Sequence, residues 1–105
     1  MKRRVLLRPA AAQDLDSQAE YLAQHAGVET GVRFYRAAEE TFRMLASRPE
    51  MGRVVEFPHP TLSGLRVFPL REFPRHLVFY KFIENDLDVV RVLHGARDIE
   101  SLFEG

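Results

Sequence analysis

The spacing of apolar residues changes once along this chain, and that change fixes the fold class. Up to Ser47 apolar residues recur every three or four positions; from Leu65 onward they recur every second position. The first period belongs to helices with one buried face, the second to strands whose side chains alternate between two faces. In the first half, Ala12, Leu15, Ala19, Leu22 and Ala26 form one stripe, and Val28, Val32, Tyr35, Ala38, Phe42 and Leu45 form another. Pro9 suits the first turn of a helix that runs from about Ala10, with Asp14 and Asp16 near the positive end of its macrodipole. Gly27 suits the cap, and Ser47-Arg48-Pro49 forbids continuation of the second helix. So short a connection makes the two helices antiparallel neighbours.

Residues 4–8 read as a short strand that Pro9 closes. Between Pro49 and Gly64 the periodicity vanishes, and Val54, Val55 and Phe57 are expected to form a short extended piece inside a loop. Three strands follow, Leu65 to Phe68, His76 to Phe82 and Leu87 to Leu93, with hairpin-length separators at Pro69–Pro74 and Glu84–Asp86. The expected fold is α+β, in the order β-α-α-β-β-β, with a helical hairpin packed on one face of a small antiparallel sheet. Residues 1–105 make one domain, long enough for a core without disulfides. The absence of cysteine removes a thiol nucleophile and any cysteine-ligated metal. The basic start is broken at Arg8-Pro9, short of a signal-peptide core, and no run approaches the ~20 apolar residues of a membrane span. A cytoplasmic protein without a membrane partner is expected.

Strict alternation then assigns the faces. Leu65, Val67, Val78, Tyr80, Phe82, Val90 and Val92 are expected beneath the helices. Arg66, Phe68, Leu77, Phe79, Lys81, Val89, Arg91 and Leu93 are expected on the open face, because a cation such as Arg91 sits poorly under a helix. That face carries more apolar surface than a solitary monomer tolerates, and its cations ask for an acidic, amphipathic partner. The alternative is that the loop around Val54 to Phe57, or the tail at Leu102-Phe103, folds back over it.

Lys+Arg 15 against Asp+Glu 15 gives zero net charge, so no direct nucleic-acid binding is expected of the chain alone. Zero is a cancellation of segments. Residues 1–8 carry four cations, the helical hairpin three cations and six anions, residues 48–97 eight cations and six anions, and residues 98–105 three anions. Thirteen of the fifteen cations are arginine, the residue of planar, bidentate contacts to carboxylate or phosphate.

The segment Leu45-Ala46-Ser47-Arg48-Pro49-Glu50-Met51-Gly52, the runs Leu65 to Pro69 and Phe73 to Tyr80, and above all Val90-Arg91-Val92-Leu93-His94-Gly95-Ala96-Arg97-Asp98 resemble the ParE branch of the RelE/ParE toxin superfamily. The resemblance runs from Pro9 to Asp98. It implies the toxin of a type II toxin–antitoxin pair that acts on DNA gyrase and is held inactive by a ParD-like antitoxin. The antitoxin would occupy the open face through Arg66, Phe68, Leu77, Phe79, Lys81, Val89, Arg91 and Leu93, while Phe68, Arg71 and Arg97 are the candidates for gyrase contact.

RelE-like relatives are ribosome-dependent ribonucleases, and that chemistry needs an acid, a base and cations fixed around a phosphorane-like charge. Arg66, Arg91 and His94 are the residues that could supply it. RelE-like enzymes tend to place a tyrosine or histidine in the tail after the last strand; here the tail beyond His94 holds neither, and Asp98, Glu100 and Glu104 would repel RNA. No catalytic residue is therefore assigned to the preferred reading, and a relative that binds its antitoxin without toxicity is the third possibility. His25, His59, His76 and His94 stand singly, without ligand spacing, so neither a metal nor a cofactor is expected.

Overall fold

The computed structural model describes residues 3–56 and 63–95. In chain order these form β1 (Val5–Leu7), α1 (Pro9–Ala26), α2 (Val28–Ser47), a 3-10 turn (Pro49–Met51), β2 (Arg53–Val54), β3 (Arg66–Leu70), β4 (Phe73–Ile83) and β5 (Asp86–His94). The sheet order is β1-β5-β4-β3-β2; β1 lies parallel to β5 and the remaining pairs are antiparallel.

Pro9 occupies the start of α1, and Gly27 alone links the helices at φ 100°, a backbone state that a side chain would resist. Close approach in the hairpin is set by Gly31, where a Cβ would lie 2.9 Å from the Ala19 carbonyl. The strands extend further than their apolar runs suggest, since Pro69 and Pro74 both lie inside strands. They sit where the β3–β4 register shifts, so the missing N–H groups cost no regular ladder.

Two apolar clusters sandwich the sheet. Beneath the hairpin, Leu15, Phe34, Phe42 and Leu45 meet Leu70, Val78, Tyr80, Leu87, Val89 and Val92. On the reverse, Leu65, Val67, Phe79, Val90 and Leu93 form a second cluster, with Val55 and Leu77 packed against it.

Strict alternation misplaces five apolar side chains, Leu65, Val67, Phe68, Val89 and Val90. Between Phe79 opposite Arg91 and Tyr80 opposite Val89, the ladder leaves Val90 unmatched: a β-bulge. One extra residue reverses the faces on its N-terminal side, so Val89 joins the helix-side core and Val90 the reverse. In β3 the register sets Arg66 opposite Tyr80 and Phe68 opposite Val78, which turns both toward the helix side and sends Leu65 and Val67 to the reverse. The open face is also less open than expected. Phe79 is 2% and Leu93 3% exposed, and Val55 from the segment after β2 packs against their cluster. The tail residues Leu102 and Phe103 lie outside the described residues.

Candidate functional site

Polar side chains stitch α1 to the edge of β5. Strand β1 covers that edge only as far as Val89, where the Arg8 N–H donates to the Val89 carbonyl at 3.2 Å. Beyond it, α1 side chains do the work of a strand. Asp14 Oδ2 accepts from the Val92 N–H at 3.0 Å, and Gln18 Nε2 donates to the Val92 carbonyl at 2.7 Å. Asp14 also takes both arms of Arg91, at 2.7 and 2.8 Å, while Arg8 pairs with the buried Asp88 at 2.6 Å. The hydrogen bond to Asp88 holds the Arg8 guanidinium above its ordinary pKa.

At the far end of this seam His76 lies buried beside His94, ring centroids 4.9 Å apart and nearly perpendicular. Phe34 meets His76 edge-on at 4.8 Å. With its amide nitrogen committed to Val92, Gln18 offers Oε1 to His76 Nδ1, which fixes the tautomer with a proton on that nitrogen. Burial, and then the neighbouring His94, lower the His76 pKa to about 4, so the imidazole is neutral near pH 7. The Nδ1 atom of His94 is buried and has no hydrogen-bond partner among the described residues.

A third polar arrangement fastens the end of α2 to the sheet. The Tyr80 hydroxyl donates to the Pro49 carbonyl at 2.6 Å and accepts from the Gly52 N–H at 2.8 Å. A Cβ on Gly52 would collide with the Tyr80 hydroxyl and the ring edge that carries it. Arg66 completes the clasp by donating to the Gly52 carbonyl at 2.6 Å. The Pro49-Glu50-Met51-Gly52 stretch thus has a structural task, and Arg66 faces the helix side because carbonyl oxygens await it there.

Of the eight residues expected on the open face, Leu77, Phe79, Lys81 and Leu93 lie on the reverse, and Arg91 stands at its bulge, turned to Asp14. Phe68 and Val89 belong to the helix-side core, and Arg66 to the clasp. Arg53, opposite Val67, adds a cation to the reverse face that alternation did not reveal. Among the gyrase candidates Arg71 is exposed at the β3–β4 turn, Phe68 is half-buried, and Arg97 lies outside the described residues. The three candidate ribonuclease residues do not converge on one open cleft: Arg66 is bound to carbonyls, Arg91 to Asp14, and His94 packs on His76. The fastening roles of Asp14, Gln18 and Tyr80 escaped the sequence reading because their partners lie 28 to 78 residues away, beyond any local pattern. Among the described residues, no group of three or more His, Cys, Asp or Glu could hold a metal, and no helix is long and apolar enough to cross a membrane.

Comparison with known proteins places this geometry. The family model of the ParE toxin of the type II toxin–antitoxin system parDE matches residues 5–99. Toxin ParE1 of Mycobacterium tuberculosis, in strain CDC 1551 / Oshkosh and in strain H37Rv, is 29% identical over 101 residues, covering 95% of this chain and 97% of the relative. A solved chain of the chromosomal ParDE TA system from P. aeruginosa superposes with a TM-score of 0.72 at 16% identity, covering 90% of this chain and 97% of that one.

Proposed function

We infer the function from family membership: this chain belongs to the ParE toxin family of type II toxin–antitoxin systems, and it acts as the toxin of such a pair. The match of the family model over residues 5–99 carries this reading. Its target is DNA gyrase, and a ParD-like antitoxin neutralises it in a hetero-oligomer in the cytoplasm. Binding, rather than bond-breaking, is the mode of action. In support, the candidate clamp residues Arg66 and Arg91 are committed to the Gly52 carbonyl and to Asp14, and His76 is neutral and enclosed.

The antitoxin segment seats on the reverse face of the sheet. Leu77 offers a half-buried apolar contact, and Arg53 and Lys81 offer positive charge to an acidic, amphipathic segment. Such segments fold as they bind and cover large surfaces at an ordering cost.

A supercoiling assay with purified gyrase tests the target. Inhibition that rises with toxin and disappears with stoichiometric antitoxin is expected. If gyrase is untouched while ribosome-bound message is cut, and His94→Ala abolishes the cutting, the RelE-like ribonuclease reading replaces this one. If neither is affected yet antitoxin binds, the chain is a non-toxic relative.

A further inference from the structure

The apolar stripe of α2 is only half used. Ala38, Phe42 and Leu45 are buried, whereas Val28, Val32 and Tyr35 are 72%, 45% and 43% exposed. A seven-residue repeat drifts ~20° per repeat on an α-helix, so a stripe begun at Val28 winds onto the core only from Ala38. Gly31 faces α1, where a Cβ would meet the Ala19 carbonyl and Ala23. Stepping about 100° per residue from that contact, Tyr35, Val28 and Val32 follow at about 40°, 60° and 100°, and Arg36 at about 140°. The three apolar side chains thus share one outward face, with α1 along one flank and the exposed Arg36 along the other. On the α1 flank the Tyr35 hydroxyl donates to Asp16 at 2.6 Å. That bond, ahead of burial and of the Asp16 and Glu20 charges, pushes the Tyr35 pKa up to about 12. Both carboxylates therefore stand abreast of Tyr35, and both are exposed. The same bond holds the ring still, which makes it an anchor that loses little freedom on binding.

We propose that this face seats a second copy of the same chain, the two α2 helices lying side by side about a two-fold axis that runs along the stripe. The signs of the flanking charges decide the occupant. A wholly acidic segment, of the kind inferred for the reverse face, would meet Asp16 and Glu20; a wholly basic one would meet Arg36. A copy of the chain answers both flanks. Rotation about such an axis keeps each residue at its height and exchanges the flanks, so Arg36 of each copy comes to Asp16 and Glu20 of the other. Val28, Val32 and Tyr35 then close on their own mates, as an isologous interface requires. Glu29, on the Arg36 flank, lies level with the end of α1, beyond Glu20, and meets neither carboxylate. The stripe is short, so the pairing is weak and concentration-dependent. It also leaves the reverse face of each sheet open, because the helices cover the other one.

Sedimentation equilibrium of the full chain alone, from roughly 10 μM to 1 mM, tests the proposal. The apparent mass should rise from one chain toward two. Val32→Asp, at an exposed position, should weaken the association by roughly tenfold or more with circular dichroism unchanged. Arg36→Glu should weaken it as well, and adding Glu20→Arg should restore it by exchanging the two charges. Lys81→Glu, on the reverse rim, should leave it as it was. A single-chain mass at every concentration, association that Val32→Asp leaves intact, or a double variant no tighter than Arg36→Glu overturns the proposal. So does a loss of antitoxin affinity in Val32→Asp, which would give the stripe to the antitoxin instead. Neither gyrase nor antitoxin enters the sedimentation measurement, so a wrong target shows separately, as undisturbed supercoiling.

Discussion

Beneath the hairpin the sheet offers Tyr80, Leu87, Val89 and Val92 to two helices that together span residues 9–47; on the reverse, Val67, Phe79, Val90 and Leu93 close on one another and on Val55. Both faces bury their centres. They differ in what covers them. A pair of long helices tied down by Asp14, Gln18 and the Tyr80 clasp gives the first face a cover that moves only if the fold does. The reverse face ends in a rim of Arg53, Leu77 and Lys81, so the side of the sheet that the helices leave is the one on which a partner segment can add area.

The contrast can be broken from the helix side first. Phe34, fully buried between Phe73 and His76, should cost about 3–5 kcal/mol on change to Ala, read by urea denaturation. A loss below a kilocalorie would mean that the hairpin is loosely seated. Val90→Ala on the reverse should cost about 2 kcal/mol, from two lost methyl groups and a small cavity.

Acid offers a second probe of the seam. His76 has its folded pKa lowered from 6.5 to about 4, so the unfolded chain takes up the proton first. The stability present above pH 6.5 is therefore lost as pH falls from 6.5 through 4, on the order of 3 kcal/mol in all. Among the described residues no carboxylate is in place to receive that proton's charge: Gln18 faces the imidazole from α1, Phe34 from α2, Phe73 from β4 and His94 from β5. Thermal melts between pH 7 and pH 4 should show the fall, and His76→Gln should flatten it. An equally steep fall in that variant would place the titrating group elsewhere. At the seam itself, Asp14→Ala strands the Val92 N–H and frees Arg91, at a cost of about 1–3 kcal/mol by denaturation.

The helices were legible because their signals are local. Pro9, Gly27, Pro49 and the three-to-four spacing all act within a few residues, and the structure follows them closely. The β3–β4–β5 meander was legible for the same reason, since hairpin-length separators make neighbours pair, whereas the parallel pairing of β1 with β5 and the place of β2 beside β3 depend on long-range contacts and make the sheet mixed rather than antiparallel. The faces were not. A single bulged residue, Val90, reverses Val89 without altering the apolar run that contains both. Arg66 turns toward the helix side because the Gly52 carbonyl waits there, a fact that only the folded chain contains. Charge misled as well: Arg91 reads as a surface cation until Asp14, 77 residues away, is brought to it.

The central claim is that the antitoxin occupies the reverse face and leaves the hairpin's outer surface free. Calorimetric titration of the cognate antitoxin into two variants tests it directly, Lys81→Glu on the reverse rim and Arg43→Glu on the exposed side of α2. The account predicts at least a tenfold weakening, about 1.4 kcal/mol, for Lys81→Glu and an affinity within about twofold of the parent for Arg43→Glu. The opposite ranking, with both variants folded, would contradict it.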